Sequence, residues 1–298
     1  MTRGGFRPRY IEFERIYRQK DHEFIGLLSA IRTNAVSDRH LQALNSRVVR
    51  GRPSRGVHIY LTATNRRADK INKQQLARIS SESRVFCASM RGEFPADSAP
   101  ADIDLMLKEG ARVMLLTNDA HGRWVNGTIG TVEELSEESA LVRTQSGLLV
   151  DVEPCTWRMS RYVYNKEART LEKEQVGSFS QLPLRLAWAI TIHKSQGKTF
   201  DRAVIDLTQG LFAHGQAYVA LSRCRSLEGV ELTAPFKRGH IRMDYRIVDF
   251  LTSYQYEGAS RICGFEEKLR IIRDAIEKRS ALDITYLKPN NSKSCRTV

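Results

Sequence analysis

At 298 residues, 41% of them hydrophobic, the chain is long enough for one large or two modest domains and apolar enough to be globular. Its formal charge of +13 favours a polyanionic partner, phosphate backbones being the commonest, although surface basicity without a specific use accounts for the same excess. Cys87, Cys155, Cys224, Cys263 and Cys295 are scattered without metal-ligand spacing, and no apolar run approaches the ~20 residues needed to cross a bilayer; the expectation is a reduced, soluble, cytoplasmic or nucleoid-associated protein with no membrane partner.

Residues 10–17, YIEFERIY, alternate enough for a short strand, with Arg18-Gln19-Lys20-Asp21 directly after it. An amphipathic helix follows over about 23–32, with Phe24, Leu27, Leu28 and Ile31 on one face; a shorter one over about 37–45 takes Ser37 as its N-cap and turns Leu41 and Leu44 inward. Residues 51–56, GRPSRG, are a linker by composition. Residues 57–63 then read as a strand, and Thr62-Ala63-Thr64-Asn65 leads into a helix through about residue 80. By residue type, Thr64 or Asn65 caps that helix. Little is readable over 81–109. A strand is expected at 110–118, and from Trp124 onward short β segments are separated by turn residues at 136–139 and 146–147, the spacing of a small barrel. Two more strands are expected over 162–180.

The next stretch, LPLRLAWAITIHKSQGKTFDRAVIDL over 182–207, is an apolar run that breaks at a polar loop, His193 to Thr199, and resumes as a β-type run. Residues 214–231 follow, where Ala217, Val219, Ala220 and Leu221 suit a buried helix that delivers Ser222, Arg223 and Arg225 at its end. A closing helix is expected over 241–255, with Ile247, Val248, Phe250 and Leu251 apolar; then an amphipathic helix over 265–278, a strand over 281–287 and the start of another over 293–298.

Thr191, His193, Lys194, Ser195, Gln196, Gly197, Thr199 and Phe200 match T-x-H-K-S/A-Q-G-x-T-F/Y, and Tyr218 to Arg223 match Y-V-A-L-S-R. These closely resemble motifs V and VI of superfamily 1 DNA helicases of the RecD and petite-integration-frequency type (superfamily 1B). The opening segments, R-Q-x-D, F-x-x-L-L-x-x-I-R and L-x-x-L-N-x-R, resemble the start of the second motor domain of that family, and V-N-G-T-x-G-x-V over 125–132 resembles its inserted Src-homology-3-like barrel. The likeness spans about 10–251. The tail is similar to the opening of a WYL domain.

The resemblance implies an α/β fold: a RecA-like second motor domain over 1–56, 57–118 and 182–252, a barrel inserted at 119–181, and a linker helix with the start of a WYL-like domain over 253–298. It implies catalytic roles for Arg18 and Arg223 at the phosphates of ATP. By residue alone, Arg18 reads as an exposed arginine ending a strand. Gln19, Gln196, Gly197 and Thr199 would lie near the nucleotide, and Thr62, Thr64, Asn65, His193, Lys194 and Ser195 on single-stranded DNA. The glycines over 125–132 are also demanded by tight turns.

A motor of this kind needs GxxxxGK[ST] and an acidic pair for Mg²⁺. Gly197-Lys198-Thr199 has the letters, but Ile192 stands where the first glycine is required. The chain is therefore expected to be a C-terminal part of a 5′–3′ helicase, inactive alone, with ATP and Mg²⁺ held mainly by an N-terminal RecA-like domain. The other reading is a stand-alone single-stranded nucleic-acid-binding module without ATPase activity.

Overall fold

The computed structural model describes residues 19, 21–49, 59–165, 169–287 and 293–298, and the chain divides into two units, one of 1–56 with 195–298 and the other of 57–194. The strand expected over 10–17 and Arg18 lie outside the described residues.

The first unit opens with α1 (His22–Arg32) and α2 (Asp38–Asn45). The Asp21 carboxylate accepts from the amides of Glu23 at 2.9 Å and Phe24 at 3.2 Å, the N-cap that starts α1; such a cap contributes about 1 kcal/mol. Phe24, Leu27, Leu28 and Ile31 are buried along one helical stripe, each adding roughly 1.5–3 kcal/mol on transfer from water. Ser37 caps α2 in a reciprocal box with His40, whose Nδ1 accepts from the Ser37 amide. Leu44 is buried and Leu41 only half-buried.

The second unit begins with β1 (Ile59–Thr62) and α3 (Asn65–Ala77), which starts where Thr64 accepts from the Arg67 amide. Over 81–109, where the sequence shows little, the chain forms β2 (Ser83–Cys87), β3 (Ser89–Gly92) and β4 (Asp104–Lys108), with β2 and β4 paired antiparallel. Then come β5 (Arg112–Leu115), β6 (Ile129–Leu135), β7 (Ala140–Thr144), β8 (Leu149–Val152), β9 (Cys155–Asn165), β10 (Thr170–Gln181), β11 (Leu184–Leu186) and β12 (Ala189–Thr191). Residues 119–181 are divided between two sheets. One has the order β11-β5-β6-β7-β8 and so takes strands from both sides of that stretch; the other has the order β3-β10-β9. Alternation in β7 and β8 turns Ala140, Val142, Val150 and Val152 into a core with Val113, Leu115, Leu182 and Leu184. Strand β12 lies parallel to β1 in the register Tyr60 to Ala189, Leu61 to Ile190 and Thr62 to Thr191.

The chain returns to the first unit with β13 (Ala203–Ile205), α4 (Gln216–Leu221) and β14 (Val230–Leu232), β13 and β14 being parallel neighbours. Helix α4 packs against α1 and buries Ala217, Ala220 and Leu221. The closing helix α5 (Tyr245–Ile262) starts later than expected because Asp244 caps it, accepting from the Arg246 amide at 3.1 Å, and it runs beyond residue 255. Of its expected apolar face only Val248 is buried, while Ile247 and Phe250 are exposed. Helix α6 (Phe265–Lys278) and the antiparallel pair β15 (Asp283–Leu287) and β16 (Lys293–Thr297) complete the chain. Among the described residues no helix is long and apolar enough to cross a membrane.

Candidate functional site

In the first unit three segments converge: Gln19, the loop Ser195–Phe200, and the end of α4. The loop turns tightly at Gly197, whose φ of +79° favours glycine, and the Lys198 amide donates to the Ser195 carbonyl at 3.1 Å. Ser195 is fully buried, whereas Gln196, Gly197 and Thr199 face solvent and Lys198 is half-buried.

Arg223 sits where α4 ends and is 7% exposed. Its Nε donates back to the Val219 carbonyl at 2.9 Å and Nη2 to the Ser222 hydroxyl at 2.8 Å. Nη1 donates to the loop carbonyls of Ser195 at 3.4 Å and Lys198 at 3.3 Å. The Phe200 amide donates to the Arg223 carbonyl at 2.9 Å, so loop and arginine are tied in both directions. Gln19, 5% exposed, donates its amide to the carbonyls of Ser222 and Cys224 on either side of that arginine. Burial pushes the Cys224 thiol up to about 12 and lowers the Lys198 ammonium. Arg225 lies apart from the cluster, exposed and paired with Asp201 at 3.2 Å.

The second unit holds the other expected residues. Thr62 is fully buried, and its hydroxyl donates to the carbonyls of Thr64 at 3.0 Å and Ile190 at 3.4 Å. Its part is internal: it shapes the turn from β1 into α3, and its carbonyl accepts from the Ile192 amide. Thr64 caps α3 while Asn65, its first residue, is exposed. The Thr191 hydroxyl accepts from the Lys194 amide at 3.3 Å, and the side chains of His193 and Lys194 point to solvent. Partial burial lowers the Lys194 ammonium, Arg185 adds to this, and Asp102 and Asp69 oppose it. Those three neighbours carry no signal in the sequence; Asp102 lies in a stretch with little pattern, and Arg185 and Asp69 match no motif.

No protein-family model matches the chain. The ATP-dependent DNA helicase Pif1 of Bdellovibrio bacteriovorus is 35% identical over 247 residues, covering 81% of this chain and 53% of that protein. The structure of unliganded Pif1 from Bacteroides sp. superposes with a TM-score of 0.72 at 38% identity, over 82% of this chain and 57% of that one. The Bacteroides Pif1 structure in complex with ADP-AlF3 and ssDNA gives 0.66 at 36% identity, over 83% and 57%. The chain thus spans about half the length of the relatives it matches. These likenesses assign the fold as a RecA-like helicase domain of mixed α/β content. Over 81% of its length the chain is homologous to the superfamily 1B DNA helicases of the Pif1 type.

Proposed function

We propose that this chain is the DNA-gripping, arginine-supplying part of an ATP-dependent DNA helicase that moves 5′ to 3′ along single-stranded DNA. Its RecA-like part would be the second motor domain, with a Src-homology-3-like barrel inserted within 119–181. ATP and Mg²⁺ would be held mainly by an N-terminal RecA-like domain carrying GxxxxGK[ST]. The observation that carries this reading is the Arg223 fork seated on the carbonyls of the Ser195–Thr199 loop, in a chain homologous to Pif1 helicases.

The donors fit a triphosphate in kind. Arginine stays charged and presents a planar fork suited to phosphate oxygens, and the turn at Gly197 leaves an exposed loop beside it. Arg18 and Arg223 would face the phosphates, with Gln19 holding the backbone around Arg223 and Gln196, Gly197 and Thr199 alongside. Hydrolysis of bound ATP supplies the free energy for movement. Arg223 as it stands is nearly closed to solvent. To turn outward its fork must leave the Ser195 and Lys198 carbonyls, which loosens the loop that follows Lys194. One side chain would thereby link phosphate contact to the freedom of a DNA-contacting segment. Thr64, Asn65, His193 and Lys194 would grip phosphates without sequence preference, while Thr62 and Ser195 hold the grip's shape from beneath.

The test is ATPase activity of this chain with and without an added N-terminal RecA-like half, each with and without single-stranded DNA. DNA-stimulated hydrolysis that requires both halves supports the proposal. Tight single-strand binding with no hydrolysis in the combined sample would instead establish a stand-alone binding module.

A further inference from the structure

Beside α3 the second unit contains a cleft of about 450 Å³ that adjoins the grip described above, sharing Asn65 and Lys194 with it; small-ligand sites run to about 300–1,000 Å³. Its floor is apolar: Ala68 from α3, Leu186 at the end of β11, and Ala189 and Ile190 on β12. The floor is held rigidly. Asn72 is 6% exposed, its Oδ1 accepts from the Ala189 amide at 2.8 Å, and its Nδ2 donates to the Ala189 carbonyl at 2.9 Å.

The rim is charged in both senses. Asp69, Asp102 and Asp104 line the cleft together with Lys73, Arg185 and Lys194, so carboxylates and cations balance. Asp102 and Asp69, which line the cleft with Lys194, favour its charged form. The Arg185 guanidinium is fixed by donating to the Pro100 carbonyl at 3.2 Å.

Such a lining does not suit a phosphate, since three carboxylates cancel the attraction of the three cations. Nor does it suit a metal ion: cations are interleaved with the carboxylates, and among the described residues no group of three acidic, His or Cys side chains could hold one. It suits a flat, uncharged body with an apolar face and both N–H donors and carbonyl or ring-nitrogen acceptors at its edge, which is a nucleobase. Asn65, the first residue of α3, stands at the mouth of the cleft. A phosphate at that helix N-terminus would bring its own base near Asn65 and so near the cleft.

We propose that this cleft is a nucleobase-binding subsite, which takes one base of a single strand whose phosphate lies at the N-terminus of α3. The subsite rests on the single-stranded-DNA reading given above. It makes part of the grip depend on bases as well as on phosphates.

The test is fluorescence anisotropy of the full chain with two oligonucleotides of equal length and charge, one carrying bases throughout and one with a central abasic stretch. The wild-type chain binds the first about fivefold or more tighter. The double variant D69A/D104A, altered at two exposed positions, loses most of that difference while its affinity for the abasic strand stays or rises, because two negative charges are gone. Ala68→Leu, which fills the floor, has the same effect on the base-bearing strand. Equal wild-type binding to both strands, or a full difference retained in D69A/D104A and Ala68→Leu, overturns the subsite alone. Binding to neither strand overturns the single-strand reading and the subsite with it.

Discussion

Gln19 donates its side-chain amide to the main-chain carbonyls of Ser222 and Cys224, at 3.0 Å each, and so clasps the two peptide groups that flank Arg223. More than two hundred residues separate the partners in sequence. The bonds are buried, and an amide is the uncharged side chain that reaches both carbonyls at once. Gln19→Ala leaves them without this donor and is expected to destabilise the chain by about 1–3 kcal/mol. Urea denaturation reads this directly, and an unchanged midpoint would show that the clasp holds nothing.

Arg223 is anchored by Val219 in the preceding helix α4 and by Ser195 and Lys198 in the loop. In the enzyme assembled with an N-terminal RecA-like half, Arg223→Ala is expected to lower ATP turnover by about 10³- to 10⁵-fold, the range seen for arginine fingers. Single-strand binding should change little by comparison. Arg223→Lys should not rescue turnover, because an ammonium cannot bind phosphate oxygens bidentately as a planar fork does. A variant with normal ATPase rate would remove Arg223 from the phosphate-facing role.

Local chemistry made part of this structure legible in advance. The stripe Phe24, Leu27, Leu28, Ile31 and the cap at Ser37 announce α1 and α2, and Gly197 announces the turn between Ser195 and Thr199. Strands β2 to β4 are hidden for the opposite reason. All of β3 is exposed, and in β4 the apolar Met106 faces solvent between buried Leu105 and Leu107, so no polar alternation marks it. Strand β3 pairs with β10, a partner some eighty residues away that no local pattern can reveal. The use of Thr62 is equally non-local, since a hydroxyl that donates to Ile190 reads in sequence like any surface threonine.

Gly130 shows a steric requirement within the five-stranded sheet. A Cβ there would meet Val142 Cγ1 at 2.5 Å and the Arg143 carbonyl oxygen at 2.8 Å. The main-chain oxygen cannot give way without moving β7, which pairs with β6 at this register. Gly130→Ala is expected to cost about 1–3 kcal/mol through overpacking, whereas Gly147→Ala, where nothing lies within 4 Å, is limited to the strain of its φ of +87°. Thermal melts of the two variants separate the causes: a larger loss at Gly147 would mean that the crowding at Gly130 is relieved elsewhere.

On the proposed single-strand grip, Lys194 is expected to couple DNA affinity to pH. Its ammonium is lowered first by partial burial and then by Arg185, against the pull of Asp102 and Asp69, so it loses its proton at a lower pH than an ordinary lysine. Single-strand affinity should therefore fall as pH rises through that lowered value, while the charge is fully present below it. Lys194→Ala is expected to bind more weakly at neutral pH, to lack this alkaline fall, and to lower the salt slope by about 0.7, because one phosphate fewer is neutralised. Lys194→Arg keeps its charge throughout and should hold its affinity at alkaline pH. Anisotropy titrations across pH and salt provide the check: an alkaline fall of equal size in wild type and Lys194→Ala would assign the titration to another group, with half-buried Lys198, whose ammonium is also lowered, next in line.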